Sequence, residues 1–357
     1  MNSSKIRFVV LYLKKNTLTI QKNRYDGVLP RSTNQFQCYK RIAEPLIDTC
    51  LEGYNTTVMA YGQTGSGKTY TIGTSASIRS SSSSQDTKSE ASYVPESEDG
   101  LIPRFVSDLF HRTNALQGRK IDVSVSFLEI YNERIRDLLN PHDEQELKIV
   151  EKGRNKRGAR VLGLSRHKVS CTKDVLRALG EGVSRRVTCG TKMNTVSSRS
   201  HAIMILDLEI RPSEEEEEED DEDKQKSQDD EKNLQGEVIR SSVTFVDLAG
   251  SERLKRTGAV GQRKEEGIHI NMGLLALGQV INALADEKRI RSGTSYTFSI
   301  SLSLYIYTCI FITSTFQLSH RYCSLTCTLS RLESNTSSSR CIGWKQSNCV
   351  CSLRLTM

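Results

Sequence analysis

The chain has 357 residues, 36% of them apolar, with 50 Lys and Arg against 43 Asp and Glu for a net charge of +7. That length holds one large domain or two ordinary ones, and the apolar fraction can build a core while leaving the chain rather polar. Met1 to Leu13 has no sustained apolar run ahead of a small-residue cleavage site and does not resemble a secretory signal, so the cytosol is expected. Cys38, Cys50, Cys171 and Cys189 are scattered without the paired spacing of a zinc site, while six further cysteines crowd the last fifth of the chain.

Ile6 to Leu13 and Leu18 to Ile20 read as short strands, and Tyr25 to Pro30 as a strand entering a turn. Tyr39, Ile42, Leu46, Ile47 and Leu51 recur at helical spacing and predict one helix from Gln35 to Leu51. Val58, Met59 and Ala60 end a buried strand. Immediately beyond it, Gly62-Gln63-Thr64-Gly65-Ser66-Gly67-Lys68-Thr69 carries the spacing G-x-x-x-x-G-K-T in full. Glycines there let the chain bend around phosphates and present backbone N–H groups to them, while Lys68 adds a point charge and the Thr69 hydroxyl a ligand for Mg²⁺. A Gly- and Ser-rich surface turn could match the pattern by chance. The strand-then-helix context and two motifs downstream argue against that.

Ser77 to Asp99 is Ser-rich with scattered charge, too polar to pack, and reads as a mobile insertion. A helix through Phe105, Leu109 and Phe110 follows it. Ile121, Val123, Val125 and Phe127 alternate as a strand, after which Glu129 to Glu133 is expected to turn into a short helix ending near Asp137 to Pro141.

The second motif is Asn194-Thr195-Val196-Ser197-Ser198-Arg199-Ser200-His201, leading into an apolar strand from Ala202 to Ile210. The third is Val243 to Arg253, an apolar strand ending in Asp247-Leu248-Ala249-Gly250-Ser251-Glu252. A strand-terminal Asp is as often a helix cap as a metal-site acid. Beside a phosphate loop, Asp247 is better read as the acid that meets Mg²⁺ through water, and the Asp-x-x-Gly spacing lets the Gly250 N–H report on a γ-phosphate.

These three stretches, together with Phe127 to Glu133 and Asn271 to Gly278, resemble the kinesin motor domain, block by block and in order, from roughly Tyr25 to Asp286. Gly273 to Leu284 and Arg253 to Gly258 look most like the chromokinesin-type branch. The resemblance implies an α/β phosphate-loop nucleotidase fold with a central, mostly parallel sheet flanked by helices. It implies a cytoplasmic, cytoskeleton-associated motor whose microtubule-stimulated ATPase uses ATP and Mg²⁺. By the same resemblance Gly62, Gln63, Thr64, Gly65, Ser66, Gly67, Lys68 and Thr69 hold the phosphates and Tyr70 lies against the adenine. Asn194 and Ser197 to His201 form a first switch, with Ser198 near the γ-phosphate and Mg²⁺. Asp247 to Glu252 form a second, with Gly250 sensing the γ-phosphate and Glu252 pairing with Arg199 when both switches surround ATP. Otherwise Arg199 and Glu252 would be solvated surface charges.

The element that turns hydrolysis into motion would be the helix Ile270 to Leu284, whose apolar residues serve core packing equally well. The loop Leu254 to Gly267, with Lys255, Arg256, Arg263 and Lys264, would face the track, although a basic loop is usually only a solvated face. Ser213 to Asn233 holds thirteen acids and three lysines, which gives it −10 and leaves the rest of the chain at +17. Such a body suits a polyanion, and tubulin's acidic tails fit as well as nucleic acid. The resemblance selects microtubules, with no nucleic acid and no membrane partner, and no heptad repeat sets an oligomeric state.

Two departures stand out. Met1 to Arg24 lacks the Arg-x-Arg-Pro element that holds adenine in the family, so residues 1–289 read as a partial motor domain with inserts at 77–99 and 213–233. Residues 290–357 read as a tail outside the domain. Ser295 to Phe316 is rich in residues with pyrimidine-rich codons, as at an intron end; a transmembrane span is the competing reading, but Ser and Thr interrupt it. Reading Thr326 to Glu333 one nucleotide later permits the family text H-V-P-Y-R-D-S, so the tail is expected to be intron-derived and out of frame, leaving the sheet with a bare edge. The functional alternative is a catalytically inactive fragment that binds microtubules or another partner. A small regulatory nucleotidase of another branch fits the two switch motifs less well.

Overall fold

The computed structural model describes residues 5–6, 9–11, 27–30, 32–74, 93–132, 134–140, 147–151, 159–188, 198–213, 238–252, 267–275, 277–278, 296–299, 325–328, 349–353 and 355–356. In chain order they form β1 (Lys5–Ile6), β2 (Val9–Leu11), β3 (Gly27–Leu29), α1 (Gln35–Ile42), α2 (Glu44–Leu51), β4 (Thr56–Tyr61) and α3 (Lys68–Ile72). Next come α4 (Leu101–Asn114), β5 (Arg119–Tyr131), β6 (Arg134–Asp137), β7 (Lys148–Glu151), β8 (Ala159–Leu162), β9 (His167–Val169) and α5 (Thr172–Thr188). The chain continues through β10 (His201–Pro212), β11 (Ile239–Asp247), α6 (267–275), β12 (Tyr296–Ser299), β13 (Leu325–Thr328), β14 (Cys349–Leu353) and β15 (Leu355–Thr356).

Among the described residues the main sheet has seven strands, in the order β14-β4-β11-β10-β5-β6 with β9 also pairing β5. The phosphate-loop α/β architecture is the expected one, but the sheet is mixed rather than mostly parallel. Within it β4 and β11 run parallel, while β10–β11, β10–β5, β5–β6, β5–β9 and β14–β4 are antiparallel. The reason lies in the connections. β5 returns directly as β6, and β10 returns as β11 across the acidic run, so neither link needs a crossover helix.

This pairing decides where the three motifs meet. In the parallel pair Asp247 lies opposite Ala60, so the loops leaving β4 and β11 emerge from the same end of the sheet. β10 runs the other way and Ala202 lies opposite Asp247, which brings the segment just before β10 to that end as well.

Side chains that alternate on one face, among them Val58, Val125, Phe127, Met204, Leu206, Val243 and Phe245, form the core with α1, α2, α4 and α5. α4 buries Leu101, Ile102, Phe105, Val106, Leu109 and Phe110 at helical spacing. Phe105 meets Phe245 edge-on with ring centroids 5.3 Å apart, and truncating a buried Phe of this kind costs about 3–5 kcal/mol. Burial pushes the Cys38 and Cys50 thiols up to about 12, so both act as small apolar side chains.

Four local expectations change. The single helix from Gln35 to Leu51 is two, broken at Ala43, because Pro45 in the first turn of α2 has no N–H to continue the ladder. α1 starts at a capping box in which Asn34 and Gln37 satisfy each other's backbone N–H. The expected short helix after Glu129 is instead the β5–β6 hairpin, turned by Asn132 at φ 49, a left-handed conformation Asn tolerates. Tyr93 to Asp99, assigned to the insertion, packs on the body. Finally, β4 does not end the sheet: Cys349 to Leu353 pairs along it, Cys351 opposite Met59.

No helix among the described residues is long and apolar enough to cross a membrane. The proposed span falls largely outside those residues, as do the acidic run, Lys255, Arg256, Arg263 and Lys264.

Candidate functional site

The loop after β4 turns back at Gly65 and Gly67, which have φ of 75° and 94° and so occupy the left-handed region that glycine enters without strain. α3 then begins at Lys68. Its side chain is buried, and Nζ donates to the Gly62 and Gln63 carbonyls at 2.9 and 3.0 Å, tying the ammonium to the inside of the loop. Burial draws the Lys68 pKa below that of an ordinary lysine, against the opposing pull of Asp247 and Glu252. The Ser66 hydroxyl oxygen is buried with no protein partner among the described residues.

Asp247, at the end of β11, is the hub. Its Oδ2 accepts from the Thr69 hydroxyl at 2.9 Å, the Thr74 hydroxyl at 3.0 Å and Arg186 Nη1 at 3.1 Å. Its Oδ1 is buried without a protein partner among the described residues. Arg186 also donates from Nε to the Ser200 hydroxyl at 3.1 Å and from Nη2 to the Ser200 carbonyl at 2.9 Å, and it lies 3.6 Å from Glu129. Sequence reasoning missed this residue. A signal was present: Val175, Leu179 and Val183 mark the buried stripe of α5, and Arg186 continues it by one more turn.

The segments Ser198 to His201 and Asp247 to Glu252, expected to be the two switches, are bonded to one another and to the loop. The Gly250 N–H donates to the Ser198 carbonyl at 2.8 Å, and the Ser251 N–H to the Gly62 carbonyl at 3.1 Å. The Ala249 N–H donates to His201 Nδ1 at 3.0 Å. Complete burial, with Arg186 and Lys68 nearby, pulls the His201 pKa down to about 3, so the imidazole is neutral and able to accept that bond.

Glu252 accepts from the Thr64 N–H at 2.9 Å and from its hydroxyl at 2.6 Å, so the carboxylate is held on the phosphate loop rather than on Arg199. Arg199 lines a small cleft with Ile130, Tyr131, Asn132, His201, His269 and Ile270. A side chain at Gly250 would collide, since a Cβ there would lie 2.3 Å from Glu252 Oε2 and 2.4 Å from Thr64 Oγ1. Tyr70 stands on α3 and is an exposed residue, at 45%. Asn194 and Ser197 lie outside the described residues.

The kinesin motor domain model matches residues 6–297. The chain belongs to the kinesin family. It is similar to the kinesin-like protein KIF21B of Homo sapiens, 38% identical over 282 residues that cover 74% of this chain and 16% of that protein. It is similar also to the chromosome-associated kinesin KIF4 of Mus musculus, 39% identical over 269 residues covering 74% and 19%, in line with the chromokinesin-type text after the second switch. This kinesin chain thus spans less than a fifth of the length of either relative. Among solved structures, a fast kinesin superposes with a TM-score of 0.60 at 30% identity, covering 87% of this chain and 89% of that one. The match reaches past both ends of the Tyr25 to Asp286 resemblance.

Proposed function

We propose that this kinesin domain binds ATP with Mg²⁺ at the phosphate loop, hydrolyses it, and couples the cycle to movement along microtubules. The observation that supports it best is the Gly250 N–H bonded to the Ser198 carbonyl, with Ser251 bonded to the loop at Gly62. Both switches are thereby tied across the mouth of the phosphate loop, and a change in charge there alters the balance of both.

The donor set suits Mg²⁺. Thr69, Ser198 and Asp247 are hard oxygen donors, and Asp247 Oδ1 is a buried carboxylate oxygen in need of a partner. They are few, as befits an ion that keeps water and phosphate oxygens in its shell. When bound, Mg²⁺ supplies neutralisation of phosphate charge. Backbone N–H groups of Gly62 to Gly67 would orient the phosphates and Lys68 would add positive charge within a desolvated pocket, while Asn194 and Ser197 are assigned to the nucleotide by the motif they belong to. Tyr70 faces the adenine. Arg199 and Glu252 orient the attacking water, which requires Glu252 to exchange Thr64 for Arg199. The basic body suits the acidic microtubule surface, a reading in which the protein works in the cytoplasm on the cytoskeleton.

The test is ATP turnover with and without microtubules. Lys68→Ala is expected to abolish turnover in both conditions. Turnover that survives Lys68→Ala would overturn the site, and ATP binding without turnover in the unaltered chain would favour the inactive-fragment reading.

A further inference from the structure

The Tyr70 hydroxyl donates to Glu98 Oε2 at 2.6 Å, a bond that joins the helix of the phosphate loop to the returning arm of the insertion. That arm is clamped. Buried Arg104 donates from Nε to the Asp99 carbonyl at 2.9 Å and from Nη2 to the carbonyls of Ser97, at 3.1 Å, and Glu96. The Tyr93 hydroxyl reaches Asp99 Oδ2 at 2.5 Å, and the Ser107 hydroxyl donates to the Tyr93 carbonyl at 3.0 Å. At its base the backbones of Gly73 and Gly100 touch, so closely that a Cβ on Gly100 would lie 2.4 Å from the Gly73 nitrogen. One guanidinium on α4 therefore fixes the carbonyls on both sides of Glu98, while the Glu98 side chain itself projects from the surface to Tyr70. From the other side Gln35 Nε2 holds the Tyr70 carbonyl at 2.8 Å, so backbone and hydroxyl of this tyrosine are both tethered.

We infer that Glu98 is a positioning residue for the base-binding half of the site: it fixes the Tyr70 ring in the orientation on which the base of a nucleoside triphosphate stacks. The arm thus sets affinity for the base and leaves the phosphates to the loop. The inference rests on the nucleotide-site reading above. A tyrosine ring turns about two torsions, and a ring already restrained loses less entropy when a flat ligand settles on it. The hydroxyl bond is exposed and screened by water, so its contribution is cut to that of an ordinary neutral hydrogen bond, about three- to tenfold in affinity.

The test compares equilibrium binding of ATP with that of inorganic tripolyphosphate, which has phosphates and no base, using the full chain. Glu98→Ala and Tyr70→Phe are each expected to weaken ATP about three- to tenfold, to leave tripolyphosphate unchanged, and to add nothing when combined. Glu98→Gln, whose amide oxygen still accepts the bond, is expected to restore ATP affinity to within about twofold. In turnover, KM for ATP should rise with kcat unchanged. Equal weakening of both ligands would show a merely structural role, and unchanged ATP affinity would remove the role altogether; either overturns the inference. Lys68→Ala separates this from the underlying reading, because it should weaken both ligands, and a Lys68→Ala chain that binds both as tightly as the unaltered chain sinks the nucleotide site itself.

Discussion

Arg186 Nη1 lies 3.1 Å from Asp247 Oδ2, and both side chains are buried. The same guanidinium reaches Ser200 and lies beside Glu129, so one cation holds the acid of the second switch, the backbone of the first and the end of β5 in register. Arg186→Ala would leave the buried Asp247 carboxylate without its ion-pair partner and take from buried Glu129 one of its two guanidinium neighbours, the other being Arg136. We expect a loss of about 3–5 kcal/mol in unfolding free energy, read from urea titration. A loss below about 1 kcal/mol would mean that water reaches this cluster.

Gly250→Ala tests the coupling of the switches. The new Cβ displaces either the Glu252 carboxylate or the Thr64 hydroxyl, and Gly250 can no longer approach Ser198 as it does now. ATP binding is expected to persist while hydrolysis falls by at least about a hundredfold, as when one transition-state donor is lost. Glu252→Ala and Arg199→Ala should show the same separation of binding from turnover. Loss of nucleotide binding in all three would mark these residues as structural.

The insertion should tolerate deletion of residues 77–92 but not of 77–99. Loop length costs entropy only logarithmically, whereas removing Glu96 to Asp99 strips buried Arg104 of three carbonyl acceptors. The shorter deletion should leave the thermal midpoint within a few degrees, and the longer one should lower it clearly. Equal midpoints would show that the clamp contributes nothing.

Acid should destabilise this fold through His201. Its pKa is about 3 in the folded chain against 6.5 for an ordinary histidine, so the unfolded chain binds the extra proton first. The stability contributed by the neutral imidazole is complete above pH 6.5 and is lost as pH falls from there towards 3. Between pH 7 and 5.5 this amounts to about 1 kcal/mol. His201→Asn keeps an acceptor for the Ala249 N–H without the titration, so its urea midpoint should fall less over that interval. Parallel falls in both proteins would assign the acid sensitivity to carboxylates elsewhere.

Local text disclosed a good deal of this protein. The spacing of Gly62 to Thr69, the apolar strand ending at Asp247 and the Ser198-Arg199-Ser200-His201 run each announce themselves, because the chemistry of phosphate binding restricts which residues can follow one another. Alternation in Ile121 to Phe127 and the stripe of α4 were equally plain, since a buried face imposes its own period. The breaks were less so. Pro45 is a visible stop signal, yet the apolar spacing runs through it, and Asn132 looks like any polar residue until its φ of 49° turns the chain into a hairpin.

What the sequence alone determined is the family, together with the phosphate-loop spacing and the two further motifs proposed as switches. Their arrangement was decided only by tertiary structure. The parallel pairing of β4 with β11 brings Thr69 within 2.9 Å of an aspartate 178 residues away. Packing of α5 turns Arg186 from one more basic residue into the buried cation on which Asp247 rests. Glu98 gains its meaning from the Arg104 clamp. Contacts of this kind join residues far apart in the chain, and they are set by how elements pack, whereas a motif records only what must be adjacent along it.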